Sequence, residues 1–289
     1  LKSLSFFIKQ ISLLSRFKLS LSVAFSTLVA YLLASGSMGL PPAFLFLGIF
    51  LLASGASAMN QIQERKFDAK MLRTHLRPIP NGALSLNTSL VIALSLLLSG
   101  LILLLVFGTL LSLLLGLLSL FWYNILYTYL KRVTAFAMVP GTLTGVIPII
   151  IGWEAAGGSL TDLTFMFICL FMVVWQLPHF ILLMLRYKED YRRAGFPALT
   201  DTYSIRSVKD IITSGVVAML TVVAGMMYFG VFHLMAIQIP TGILCLAFVI
   251  IFMKDLYKKQ GELKVAFISI NVFMLGVMIM LLADKLMKG

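Results

Sequence analysis

Nine apolar runs, each long enough to cross a bilayer, take up most of this chain and leave only short polar connections between them. They lie near 20–37, 41–59, 87–106, 108–128, 135–153, 162–182, 211–231, 235–253 and 265–283. A spanning helix needs about 20 mostly apolar residues, because a backbone in lipid must satisfy its own hydrogen bonds. The expected fold class is therefore all-α, a polytopic membrane protein with nine transmembrane helices. Composition agrees: of 289 residues, 60% are hydrophobic and 12% charged, with a mean hydropathy of +1.02. A soluble globule of this length is far less apolar.

The net charge of +12 would suggest a nucleic-acid partner in a soluble protein. Here the cations sit in the connections, as membrane topology requires, so no nucleic acid is expected. With the N-terminus cytoplasmic, Arg65 to Arg77, Lys131 and Arg132, Arg186 to Lys209, and Lys254 to Lys264 all fall on the cytoplasmic side. The alternate connections, Gly36-Ser37-Met38-Gly39, Gly108-Thr109, Glu154 to Asp162 and Gly230 to Leu234, contain no Lys or Arg. Only Lys285 and Lys288, beyond the last span, break the rule, and the C-terminus is expected on the opposite side. Residues 1–18 place Lys2, Lys9, Arg16 and Lys18 around Phe6-Phe7-Ile8 and Ile11-Ser12-Leu13-Leu14, which reads as an amphipathic segment on the membrane surface. It carries no small-residue cleavage site, so removal as a signal peptide is not expected. Residues 19–289 form the intramembrane domain. Cys169 and Cys245 fall inside spans and read as packing residues.

Two polar segments, about 60–86 and 183–210, are longer than the rest and follow spans two and six. Four spans separate them, which suggests repeated helix pairs whose polar loops face each other. In the first, Asn60 to Pro78 holds seven charged residues, five of them basic. Asn60, Glu64 and Asp68 are spaced by four, so on a helix continuing from span two they share one face. Such a row offers oxygen ligands to Mg²⁺, which favours carboxylates together with phosphate oxygens. Its plainer reading is a solvated helix end with internal ion pairs. Lys70, Arg73 and Arg77 weigh against that, since the two arginines repeat the spacing and present forked donors to a diphosphate. Pro78 is expected to stop the helix.

The second segment embeds Glu189 and Asp190 among Arg186, Lys188, Arg192 and Arg193, beside Tyr191. Alone it reads equally as a solvated loop. Paired with the first segment, it is expected to be the opposite wall of one pocket, and two acidic clusters with a basic surround are suited to Mg²⁺ ions bridging a diphosphate. Between the two, Lys131 and Arg132 after Tyr127 are either topology anchors or cations that stabilise a departing diphosphate. Gln176 and His179 flank Pro178 near a span end, where polar groups in lipid are costly enough to suggest a role; a histidine satisfied by another helix is the alternative.

These residues resemble the UbiA-type intramembrane prenyltransferases, and within them the protoheme IX farnesyltransferases, or heme O synthases. The resemblance runs through Asn60, Asp68, Met71, Arg73, Thr74, Arg77 and Pro78, then Tyr127-Thr128, Leu130-Lys131-Arg132 and Thr134. It continues in Gly141, Gly145, Pro148, Gly152 and Trp153, then Trp175-Gln176, Pro178-His179-Phe180, Asp190-Tyr191, Gly195 and Pro197, and ends on Asp284. There are departures. Glu64 stands where the family usually has Asp, Ala137 where it has Asn, Thr142 where it has Gly and Ile149 where it has Pro. Ile181 replaces an aromatic residue, and Ala198 and Thr200 replace Met and Pro. Most of them fall where the acceptor should bind.

The resemblance implies nine helices around a central cavity and a Mg²⁺-dependent transfer of farnesyl from farnesyl diphosphate to heme B in a bacterial inner membrane. It assigns the metal to Asn60, Glu64, Asp68, Glu189 and Asp190, and catalysis to Asp68, Lys131, Arg132, Asp190 and Tyr191. Substrate contacts fall to Asn60, Lys70, Arg73, Arg77, Tyr127, Gln176, His179 and Lys188, with His179 facing heme. Membrane lipid, a downstream heme A synthase and oxidase assembly proteins are the implied partners. An aromatic quinone-precursor acceptor is the same-class alternative, and a membrane transporter the alternative of another class.

Overall fold

The computed structural model describes residues 2–37, 39–258 and 262–288, with Lys2 and Ser3 described by backbone alone. Met38 of the first uncharged connection, Lys259 of the last cationic one, Leu1, Gln260, Gly261 and Gly289 lie outside the described residues. Among the described residues there are helices and no strands. A surface helix, α1 (Lys2–Leu14), precedes spans α2 (Phe17–Ser35), α3 (Leu40–Asp68), α4 (Leu86–Phe107), α5 (Leu110–Leu130), α6 (Ala135–Ala155) and α7 (Leu163–Arg186). A short α8 (Lys188–Ala194) leads to α9 (Ile205–Tyr228), α10 (Met235–Leu256) and α11 (Lys264–Lys288). Nine of these are long and apolar enough to span a membrane, matching the nine runs.

Local chemistry sets the ends. Pro41 and Pro42 open α3, where missing or unneeded N–H groups cost nothing. The Ser85, Thr109, Asp162 and Ser204 side chains accept N–H groups of the first turns of α4, α5, α7 and α9. Gly36, at φ 69°, closes α2. Within α5 the residues Phe121–Tyr127 widen into a π-helix, a distortion that the apolar pattern does not signal and that often marks functional sites.

The spans pack through glycine. A Cβ on Gly100 of α4 would lie 2.7 Å from the Leu52 nitrogen and 2.8 Å from the Gly48 oxygen of α3, so these two backbones approach as only small residues permit. Gly152 of α6 abuts the Thr27 carbonyl of α2 in the same way. The largest apolar core joins α2, α6, α7, α9, α10 and α11. The outer face of α4 shows Val91, Leu94, Leu98, Ile102 and Leu105, the pattern of a helix bathed in lipid.

Two expected boundaries are corrected. Span seven begins at Ile205 rather than near 211, because the Ser204 cap starts the helix at the polar edge. The helix from span two ends at Asp68, ten residues before Pro78. Beyond it the chain winds in tight turns (Lys70 N–H to Phe67 O, 3.0 Å; Met71 N–H to Asp68 O, 3.3 Å), and the Thr74 hydroxyl donates to Asp68 O at 2.9 Å. Lys70, Arg73 and Arg77 therefore do not continue the face of α3. They stand on a separate loop folded back over it.

Candidate active site

The end of α3 carries the row expected from the sequence. Asn60, Glu64 and Asp68 are 0%, 4% and 3% exposed. A cation stands on each, and each cation comes from a different junction. Arg16, between α1 and α2, donates from Nη2 to Asn60 Oδ1 at 3.1 Å. Lys131, just past α5, brings Nζ to 2.7 Å from Glu64 Oε1. Arg77, on the loop after α3, donates from Nη1 to both Asp68 oxygens at 2.8 and 2.7 Å. The Asn60 amide donates to Thr128 Oγ1 at 2.9 Å, which turns its oxygen toward Arg16.

These charges share one field. Burial, then the neighbouring Arg16, lowers Arg77 to about 10 against the pull of Asp68. Burial also lowers Lys131, with Glu64 opposing it. Burial alone would lower Arg16, but Tyr123, Glu64 and Asp68 outweigh it and raise the guanidinium. Lys131 and Glu64 thus form a close ion pair in which the carboxylate is almost wholly buried.

The opposite wall is α8. Asp190 is 6% exposed and accepts the backbone N–H groups of Leu72 (2.8 Å) and Arg73 (3.0 Å), tying the two long loops together face to face. Met71, Ala194 and Phe196 pack beneath, with Phe67 and Tyr191 against them. Burial pushes the Tyr191 phenol upward. Glu189 instead faces outward and pairs with exposed Arg192 at 3.1 Å, because adjacent positions of a helix point to different sides. Among the described residues no three His, Cys, Asp or Glu side chains gather in a metal cage. The five-residue metal set is thus divided: Asn60, Glu64 and Asp68 align, Asp190 is committed to backbone donors, and Glu189 stands apart.

The remaining expected residues are spread around this centre. Lys70 and Arg73 are exposed, with Arg73 4.9 Å from the Tyr187 ring centre, and Lys188 is half-buried. Lys131 also lies 5.4 Å over the ring of Tyr127, which stacks on Tyr123 and Phe180. Arg132 lies between the Phe67 and Tyr129 rings at 4.9 and 4.5 Å and reaches Gln63 O at 3.3 Å. A mouth cavity of about 360 Å³ opens between Arg132, Arg192, Phe196 and Asp201. Gln176 is spent locally, donating to Thr142 O and Met172 O at 3.1 and 2.9 Å. His179 sits among Trp175, Phe180 and Phe267, with Nδ1 buried and without a hydrogen-bond partner.

The glycines of the motif blocks have a physical reading. A Cβ on Gly141 would lie 2.8 Å from the Tyr127 ring, and one on Gly145 would collide with the Gln176 amide. Sequence reasoning missed Arg16 and Gln61 as parts of the site, since neither shares a spacing with the row's other partners.

The model of the UbiA prenyltransferase family matches residues 23–275. The chain belongs to this family. A protoheme IX farnesyltransferase of Nitratidesulfovibrio vulgaris (strain Hildenborough) is 33% identical over 283 residues, covering 96% of both chains. Those of Oleidesulfovibrio alaskensis and Geobacter sulfurreducens are 36% and 40% identical over 186 and 144 residues, which span 66% and 53% of their lengths. Among solved structures, a UbiA homolog from Archaeoglobus fulgidus bound to GPP and Mg²⁺ superposes with a TM-score of 0.75 at 12% identity, covering 96% of this chain and 98% of that one. A digeranylgeranylglyceryl phosphate synthase gives 0.73 at 16% identity, covering 97% and 99%. At such identities the likeness is one of fold, and the fold is that of the UbiA prenyltransferases.

Mg²⁺ suits the α3 row on this structure's own terms. The donors are hard oxygens, two of them buried carboxylates that already face cations, and Mg²⁺ is ordinarily held by one or two carboxylates plus substrate phosphate and water rather than by a full protein cage.

Proposed function

We propose that this prenyltransferase transfers the farnesyl group of farnesyl diphosphate to a vinyl group of protoheme IX, giving heme O. The observation that carries the diphosphate half is the buried row Asn60, Glu64 and Asp68, faced by Arg16, Lys131 and Arg77. Support for heme as acceptor comes from the relatives named protoheme IX farnesyltransferase, one of them matching across 96% of this chain.

Asn60, Glu64 and Asp68 would hold Mg²⁺, which would supply positive charge to offset part of the negative charge of the diphosphate. Arg77 and Lys131 hold the leaving oxygens as the C1–O bond breaks and negative charge collects on the diphosphate. The Tyr127 and Tyr123 faces border the allylic carbon as it gains positive charge. The vinyl carbon supplies the electron pair for the new C–C bond, and water completes the hydroxyethyl group. His179, with its unpartnered nitrogen in an aromatic cage, contacts the heme by iron or propionate.

In this reading the cation-bearing loops face the cytoplasm of a bacterial cell, the C-terminus lies on the other side of the inner membrane, and α1 rests on the lipid surface through exposed Leu4, Phe6, Phe7 and Ile8. A heme A synthase is the class of protein that would consume the product. The test is to incubate the purified protein with Mg²⁺, farnesyl diphosphate and heme B and to analyse the extracted pigment by mass spectrometry. A mass gain of farnesyl plus water is expected. Unchanged heme, with diphosphate released once an aromatic quinone precursor is supplied, would overturn the acceptor assignment.

A further inference from the structure

We infer that Arg16, at the joint between α1 and α2, is a diphosphate-binding residue of this site, and that Gln61 is the positioning residue that shapes the joint. The inference deepens the prenyl-diphosphate reading and rests on it.

The backbone supplies the first observation. Arg16 stands at φ 47°, ψ 52°, and among the described residues only Leu263 joins it as a non-glycine at positive φ. A long side chain in the left-handed region is disfavoured and persists only where its surroundings impose it, which makes it a pointer to function. Here they do impose it. Gln61, fully buried on α3, donates from Nε2 to the carbonyls of Leu13 and Leu14, both at 2.8 Å, and so caps the end of α1. Ser20 Oγ donates to Ser15 O at 2.9 Å, and Arg16 O accepts the N–H groups of Leu19 and Ser20 that start α2. These bonds fix the backbone of the joint, and the guanidinium reaches Asn60 and Tyr123.

Charge supplies the second. Arg77 and Lys131 each hold a carboxylate, whereas Arg16 holds neutral oxygens: the Asn60 amide at 3.1 Å and the Tyr123 hydroxyl at 3.4 Å. Its Nε is buried with no hydrogen-bond partner. The cluster therefore contains more cations than carboxylates, and the surplus charge with a spare donor belongs to Arg16. A guanidinium with unspent N–H groups beside other cations suits multidentate binding of phosphate oxygens.

Inorganic pyrophosphate with Mg²⁺, titrated calorimetrically into the full-length protein without acceptor, tests this. Arg16→Gln, which keeps a hydrogen-bonding side chain but loses the charge, should weaken pyrophosphate binding about tenfold or more, the size of a lost charged hydrogen bond. Arg16→Lys should recover part of the loss. Arg16→Gly should lose binding while keeping the unliganded melting temperature, because glycine accepts positive φ without strain. Gln61→Leu should weaken binding with Arg16 still present. In turnover, the KM for the prenyl diphosphate should rise and that for the acceptor should not. Arg16→Gln and Arg16→Gly binding pyrophosphate like the wild type would overturn the role of Arg16 and leave the prenyl-diphosphate reading standing. Failure of the wild type itself to bind pyrophosphate with Mg²⁺ would sink that reading, and this one with it.

Discussion

The Asp68–Arg77 pair permits the most exacting test of how the site is held when no substrate is bound. A single nitrogen of Arg77 bonds both carboxylate oxygens, and the two side chains are 4% and 16% exposed. Asp68→Ala would strand Arg77 beside Arg16, whose repulsion together with burial already lowers it. Losing one partner of a buried pair costs about 3–5 kcal/mol; Arg77 keeps some contact with water, so roughly 2–3 kcal/mol is expected. Arg77→Ala leaves the Asp68 carboxylate without its partner, and the Thr74 hydroxyl cannot replace it because it bonds the Asp68 main-chain oxygen. That variant should lose about 3–5 kcal/mol. The double variant strands neither charge, so it should lose less than the sum, with a coupling of about 2 kcal/mol. Denaturant unfolding of the four proteins in one detergent measures the cycle. Additivity within about 0.5 kcal/mol would refute the pair as a held contact. Repeated with Mg²⁺ and pyrophosphate, the coupling should shrink as Arg77 turns from Asp68 to the anion.

Two further outcomes are expected. Gly100→Ala must push α3 and α4 apart by about half an ångström, since its Cβ would meet backbone at 2.7 and 2.8 Å, and overpacking of this kind costs about 1–3 kcal/mol. An unchanged melting temperature would mean that the helices do not cross so closely. His179→Ala should leave pyrophosphate binding intact yet alter the Soret band of heme B titrated into the protein, and an identical spectrum would remove His179 from the acceptor site.

The membrane bundle was legible because lipid imposes a single local rule, a long apolar run between short polar connections, and each of the nine spans obeys it. The α3 row was legible for a similar reason: Asn60, Glu64 and Asp68 follow the period of one continuous helix, so no knowledge of the rest of the fold was needed. What escaped depends on partners distant in sequence. Lys70 to Arg77 continue a helical spacing, and locally only Pro78 argues against a helix. The helix ends at Asp68 because Asp190, more than a hundred positions away, takes the N–H groups of Leu72 and Arg73, an alternative that local pattern cannot register. The same contact removes Asp190 from a simple list of ligands. Arg16 is the extreme case: in sequence it is one more cation beside a span, indistinguishable from Lys18. Its backbone turn and the Gln61 cap place it on Asn60. The paired residues of α3, Asn60 and Gln61, thus serve two faces of one helix, one pointing into the site and the other holding the segment that completes it. Periodicity finds the first of these roles. Only the fold reveals the second.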